Sequence, residues 1–300
     1  MPPHSDAAGV PKAAQGIRLP ENLTEGKPRP VRLLRAVEFI RPMRGGSQPA
    51  LLRCDSGDCY VVKFRNNPQH VRVLANEMFA ARLAAMIGLP VAEPALIEVA
   101  ESLAARGAES NPRTFPHPLP LPRSGLEFGS RFPGDPHTTL IVDFLPDRLL
   151  RQLVNLRPAF LGALAFDKWT CNCDGRQFIF HRQSGRKAAD YSAMLIDQGF
   201  CFNDGEWSFP DAALRGIYPR RLVYETVRGL RSFEPYVSRI ENLTREQLKA
   251  CARGIPKEWC GDEPQKLIQL IEALYSRRLL VRQAIIDARD CGLEPFPNWH

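Results

Sequence analysis

The chain has 300 residues, 44% hydrophobic and 24% charged, enough apolar material for one large domain or two moderate lobes. Its 40 Lys and Arg against 33 Asp and Glu leave a net charge of +7, which suits an anionic partner such as a nucleotide, an acidic protein or RNA as well as it suits a solvated basic surface. There is no run of about 18 apolar residues and no apolar signal core at the N-terminus, so neither a membrane span nor secretion is expected, and a cytoplasmic setting is. Eight scattered cysteines in a chain of this size read as reduced thiols rather than as a disulfide framework.

Residues 1–28 read as a flexible tail, and Val31 to Ile40, rich in β-formers, as a strand. Gly45-Gly46-Ser47 is a turn or loop. Ala50 to Arg53 and Cys59 to Phe64 form a hairpin across Asp55-Ser56-Gly57-Asp58, because Gly and Asp tolerate the turn geometry. A helix over about Leu74 to Ile87 follows, with an apolar stripe of Phe79, Leu83, Met86 and Ile87. Gly88 stands where a left-handed C-cap is wanted, and Pro90 bars continuation. Pro90 to Val99 resumes as a strand.

Residues 101–137, rich in Pro, Gly, Arg and Ser, read as a long loop or insertion. Thr139 to Phe144 is a strand ended by Leu145-Pro146-Asp147. Leu149 to Leu156 and Pro158 to Trp169 read as helices on either side of Arg157-Pro158. Two short acidic stations come next, Asn172-Cys173-Asp174-Gly175-Arg176-Gln177 and Asp197-Gln198-Gly199-Phe200. After Asp211 the chain is expected to be mostly helical, ending in an amphipathic stretch from Gln265 to Arg289.

The stations carry the chemistry. Both follow apolar stretches, so their carboxylates can meet at one point, one taking a proton and the other holding a metal. Phosphoryl transfer from a nucleotide needs that arrangement. Asp174 is the candidate base for a hydroxyl nucleophile. Asp197, at the end of Met194-Leu195-Ile196, is placed to coordinate Mg²⁺, with Asn172 and Gln177 as neutral oxygen ligands. Lys63 lies on an apolar strand, where a buried ammonium needs a counter-charge or a bound anion, and Glu77 fourteen positions on is the matching acid. Gly45-Gly46-Ser47 offers backbone N–H groups to a phosphate, although it is neither a Walker loop nor a full GxGxxG. Cys171, Cys173 and Cys201 near His181 raise zinc, but Cys-x-Cys alternates across a strand and buried thiols fit better.

Together these pieces resemble the HipA-like kinases, and among them the short HipA-like domain proteins of bacteria, which share a catalytic core with protein kinases and phosphatidylinositol kinases. The matching segments are Gly45-Gly46-Ser47-Gln48-Pro49, Tyr60-Val61-Val62-Lys63-Phe64, Asn76-Glu77 with Gly88-Leu89-Pro90-Val91, Phe166-Asp167-Lys168-Trp169, Asn172-x-Asp174-Gly175-Arg176 and Ile196-Asp197-x-Gly199, spread over Val31 to Phe209. The resemblance implies an α+β, two-lobed protein-kinase-like fold, with a small β-rich N-lobe over 29–140 and a mostly helical C-lobe over 141–300. It implies an ATP- and Mg²⁺-dependent serine/threonine protein kinase. Lys63 would contact ATP phosphates, Glu77 would position it, Asp174 would be the base and Asp197 the metal aspartate. Adenine would meet the backbone of a hinge around Ile141 to Leu145, through Val142, Asp143 and Phe144. One departure stands out. The family's metal-binding Asn, five residues after the base, is replaced here by Ile179, leaving Gln177 or Asn172 to substitute. If neither does, the alternative is a nucleotide-binding pseudokinase that regulates a partner protein. A kinase for small molecules or nucleic acid is a further alternative.

Overall fold

The computed structural model of the chain describes residues 28–66, 68–103, 125–183 and 191–300. The expected tail, apart from residue 28, and 104–124 of the expected insertion lie outside the described residues. Strands β1 (Arg32–Pro42), β2 (Ala50–Cys54), β3 (Cys59–Lys63), β4 (Pro94–Val99) and β5 (Gly125–Arg131) form a closed barrel in the order β1-β2-β3-β5-β4. Closure comes from a parallel pairing of β1 with β4, Arg32 opposite Ala95. Two register irregularities in β1 supply the bend that closure requires. The hairpin turn is as expected: Gly57 is left-handed at φ 84°, and Cys54 N–H donates to Asp58 O at 2.9 Å.

Strand β5 corrects the sequence reading, which placed these residues in a structureless insertion. Gly-Leu-Glu-Phe-Gly-Ser-Arg has no β-branched residue and two glycines, so its local propensity is poor. It is a strand because it fills the gap between β3 and β4, pairing with both. Leu34, Leu52, Tyr60, Val62 and Ile97 pack the barrel interior. Gly129 sits against Tyr60 and Ile97, where a larger residue has no room.

Helix α1 (Val73–Met86) lies outside the barrel against β4 and β5. Its end is as expected, with Gly88 at φ 82° and Leu89 N–H reaching back to Ala84 O at 2.9 Å. Its burial is not. Instead of one apolar stripe, every residue from Val73 to Ala84 is buried, because the C-terminal helices cover the side facing away from the barrel. Three of these residues are polar or charged (Asn76, Glu77 and Arg82), and each ends on specific partners. Arg82, for example, donates to the carbonyls of Cys251 at 2.6 Å and Arg253 at 2.7 Å.

A second, antiparallel sheet joins β6 (Thr139–Val142), β7 (Gln177–Gln183) and β8 (Ser192–Ile196). Leu195 N–H donates to Pro90 O at 2.7 Å, which ties this sheet to the segment after α1. The helices are α2 (Asp147–Leu150), α3 (Leu156–Thr170), α4 (Tyr236–Glu241), α5 (Arg245–Ala252), α6 (Lys266–Arg277) and α7 (Val281–Asp290). The first expected helix here shrinks to the single turn of α2. The break falls before Leu156 rather than at Arg157-Pro158, since proline fits the first turn of a helix, where its missing N–H has no partner to lose. The expected stretch from Gln265 to Arg289 is two helices, α6 and α7, broken at 278–280 so that both can pack on α3. A single core runs from Leu74, Phe79 and Leu83 of α1 through Phe160, Leu164 and Trp169 of α3 to Leu274 and Ile285.

Much of the arginine excess works inside the molecule. Arg220 bonds Leu145 O and Asp147, Arg277 bonds Trp169 O, Lys168 O and Asp211, and Arg282 bonds Glu234 and Glu241. These three side chains are staples between loops and helix ends. Among the described residues no helix is long and apolar enough to cross a membrane.

Candidate active site

Alternation along β3 sends Tyr60 and Val62 into the barrel and Cys59, Val61 and Lys63 outward. Lys63 Nζ is paired with Glu77 of α1 and lies 2.8 Å from Asp197 Oδ1, just past β8. Both Lys63 and Glu77 are buried. Burial alone would depress the lysine, but Glu77 and Asp197 overcome it and hold its pKa above the usual range. Burial likewise opposes the Asp197 charge, and Lys63 overcomes it, holding this carboxyl below the usual range. Burial pushes Glu77 up. Glu77 also accepts the backbone N–H groups of Gln198 at 3.0 Å and Gly199 at 3.1 Å, so the strand lysine, the helix acid and the turn after β8 form one unit. Gly199 makes that approach possible, since a Cβ there would stand 3.0 Å from Val73 Cγ1.

The backbone after β8 is unusual. Asp197, Phe202, Asn203, Asp204 and Trp207 all have φ between 51° and 62°. Such residues cost on the order of 1 kcal/mol or more each and persist where surrounding contacts over-determine them. Here Phe202 N–H donates to Thr170 O at 2.7 Å, and the amide of Asn76 bonds the carbonyls of Gly199 and Asp204.

The other station is adjacent and different. Cys173 N–H bonds Phe200 O at 3.1 Å, and Gln177 pairs with Ile196 in the sheet, so the two stations are neighbours. Asp174 lies on an exposed bend and accepts only local donors, Gly175 N–H at 2.7 Å and Gln177 Nε2 at 3.5 Å. Arg176 turns inward from the exposed bend. It is fully buried in a bidentate pair with Asp167 of α3 and also reaches Gln198 Oε1 at 2.7 Å. It therefore ties α3 to both stations. Burial opposes the Arg176 charge, and Asp167 overcomes it. Lys168, next along α3, donates to Ala213 O at 2.5 Å, and burial brings its pKa down to about 8.

The two candidate substitutes for the missing asparagine part company. Asn172 is 1% exposed, and its Oδ1 accepts Asp174 N–H at 3.4 Å. Gln177 is exposed. On β7, Phe178 and Phe180 face the core, which places Gln177 and Ile179 together on the opposite face, with Gln177 opposite Ile196 and one residue from Asp197. The donor set of one carboxylate and an amide oxygen is hard and suits Mg²⁺.

Gly45 and Gly46 are exposed, whereas Ser47 is buried in a turn closed by Gln48 N–H to Gly45 O at 3.0 Å. Past β6, Asp143 and Phe144 are exposed, and the Arg220 guanidinium lies 4.8 Å from the Phe144 ring centroid. Val142 packs toward the core instead. All eight cysteines are free thiols. Cys171 and Cys173 are engaged separately, with Arg215 and with Phe200 O. Among the described residues no three His, Cys, Asp or Glu side chains gather as a metal site.

A family model described as HipA-like kinase matches residues 36–282. The chain belongs to the HipA-like kinase family. The match extends well past Phe209, where the sequence resemblance stopped, so the C-terminal helices are part of the family's pattern. Among solved structures, a Helicobacter pylori proinflammatory kinase, CtkA, matches with a TM-score of 0.51 and 13% identity, over 88% of this chain and 99% of that one. The Golgi casein kinase with Mn and ADP bound matches with a TM-score of 0.47 and 10% identity, over 90% of this chain and 76% of that one. No curated protein matches this chain. The family match and the CtkA likeness show a kinase fold of mixed strands and helices.

Sequence reasoning missed three members of the site. Asp167 and Asn76 sat inside quoted segments without a role, and an acid or amide inside an apolar helix is the signal that could have found them. The third is an apolar wall of Leu51, Val61 and Ile141, where the outer barrel face meets β6. Its members sit on three separate strands, and no local pattern links them.

Proposed function

We propose that this HipA-like kinase transfers the γ-phosphoryl group of ATP, with Mg²⁺, to a hydroxyl on a protein. The observation that carries the reading is the Lys63 ammonium held between Glu77 and Asp197, a phosphate-binding cation pre-positioned beside a metal-binding carboxylate. The barrel region, 29–140, serves as the nucleotide-binding lobe and 141–300 as the catalytic lobe. Adenine lies against the apolar wall of Leu51, Val61 and Ile141 and meets the backbone at Val142, Asp143 and Phe144, while the Gly45-Gly46-Ser47 turn covers the phosphates.

Bound Mg²⁺ supplies neutralisation of phosphate charge. Asp197 and Gln177 would hold it, and Lys63 would bind a phosphate oxygen in place of its contact with Asp197. Asp174, on its exposed bend, accepts the acceptor's hydroxyl proton as that oxygen bonds to the γ-phosphorus and ADP leaves. The substitution at Ile179 favours the second reading, a pseudokinase that binds nucleotide and regulates a partner. The exposed position of Gln177 on β7, opposite Ile196, favours the active enzyme.

Titration of ATP with and without Mg²⁺, followed by labelled-phosphate transfer into protein, RNA and metabolite fractions, tests this. Mg²⁺-dependent label in protein is expected. Tight binding with no loss of ATP overturns the enzyme reading in favour of the pseudokinase, and label in another fraction overturns the protein acceptor.

A further inference from the structure

Asn76 has no part in the chemistry just described, yet it is fully buried one position before Glu77, inside a helix whose other polar residues are Glu77 and Arg82. Its Nδ2 lies 2.7 Å from Gly199 O, 2.8 Å from Asp204 O and 3.2 Å from Cys201 O. Its Oδ1 accepts the Trp207 indole N–H at 2.7 Å. An amide has two N–H groups, so the two shorter contacts use them and the third is shared. All four partners belong to the segment with the left-handed residues, which starts at Asp197. Three consecutive left-handed residues, Phe202, Asn203 and Asp204, do not hold themselves in place. Arg72, just before α1, adds a second fastening, with its guanidinium 2.6 Å from Gly205 O and 4.7 Å from the Trp207 ring centroid.

We propose that Asn76 is a positioning residue, which clamps the segment 199–207 to α1 and so fixes Asp197 and the Gln198 and Gly199 amides in register with Lys63 and Glu77. The inference rests on the phosphoryl-transfer reading of this site. In protein kinases the position of the helix that carries the paired glutamate is a point of control. Here that helix is buried on all sides and fastened to the metal aspartate's own segment, so the two keep one geometry. Leucine or alanine at position 76 would satisfy the local apolar pattern but take the amide donors from three carbonyls of a strained turn.

The test compares Asn76→Ala and Trp207→Phe with the wild-type chain, by amide hydrogen exchange and by ADP formation from ATP and Mg²⁺. Trp207→Phe removes the indole donor to Asn76 Oδ1 and shrinks the ring beside Arg72 but leaves the Asn76 amide in place, so it reports on the clamp even where Asn76→Ala folds poorly. In Asn76→Ala, amides of 198–204 are expected to exchange about 10-fold faster or more, while those of β2 and β3 change by less than about twofold. The expected fall in kcat is about 10- to 100-fold with nucleotide KM within about threefold, as for a misplaced rather than a missing group. Trp207→Phe shifts the same amides in the same direction by a smaller factor. Wild-type exchange at 198–204 in both variants, or acceleration spread evenly over the whole chain, overturns the clamp. Wild-type protein that forms no ADP, with the local exchange pattern present, overturns the phosphoryl-transfer reading and leaves the clamp standing.

Discussion

The two acidic stations are neighbours built on opposite principles. The turn after β8 is buried and held from several sides, by Lys63, by Glu77 through two backbone amides, and by Asn76 through its carbonyls. The bend that carries Asp174 is exposed, and its carboxylate accepts only local donors. One station is held in place before any ligand arrives, as the proposed site for phosphate and metal has to be, because preorganised charge costs no reorganisation during reaction. The other is open, as the proposed entry for a separate hydroxyl has to be.

The comparison is broken most severely at Asp174. Asp174→Asn removes the proton acceptor without disturbing a buried contact, so transfer should fall about 10²- to 10⁴-fold while nucleotide affinity and melting temperature stay near wild type. Full activity in this variant removes Asp174 from the mechanism. Arg176→Met strikes the brace between the stations. It leaves Asp167 buried and unpaired, so a loss of about 3–5 kcal/mol in denaturant unfolding is expected, with Asp167→Asn similar. A loss below about 1 kcal/mol would mean the pair is not a structural link.

Gln177→Ala sharpens the question raised by Ile179. If Gln177 supplies the metal oxygen, the Mg²⁺ concentration for half-maximal activity rises about 10- to 100-fold, and Asn172→Ala does not reproduce the effect. Equal effects from both would return the two residues to parity. The smallest effect lies away from both stations, at Glu127 in the barrel. Burial pushes its carboxyl up to about 7, despite donors from Arg65. A carboxyl raised in the folded state favours folding fully below its unfolded pKa, and that contribution is lost as pH rises through 7. Stability should fall by about 1 kcal/mol between pH 6 and 8, and Glu127→Gln should flatten that slope in melting curves.

The barrel hairpin, the end of α1 at Gly88 and the pairing of Lys63 with Glu77 were legible because each rests on local chemistry: a Gly-Asp turn, a left-handed cap, and a charge on an apolar strand that needs a counter-charge. Strand β5 was not, since Gly125 to Arg131 is a strand only because two neighbours leave a vacant edge between them. Nor was the burial of α1 on every side, which depends on helices 150 and more residues later.

By itself the sequence determined which groups carry charge and which turns are tight, and so placed Lys63, Glu77, Asp174 and Asp197 as candidates. Tertiary structure alone decided that Arg176 braces the two stations, that Asn172 turns inward while Gln177 stays open, and that Asn76 grips the segment after Asp197. The physical reason is that a buried polar group takes its role from its partners. Those partners, 9 positions away for Arg176 and 123 or more for Asn76, are set by packing rather than by neighbours in the chain.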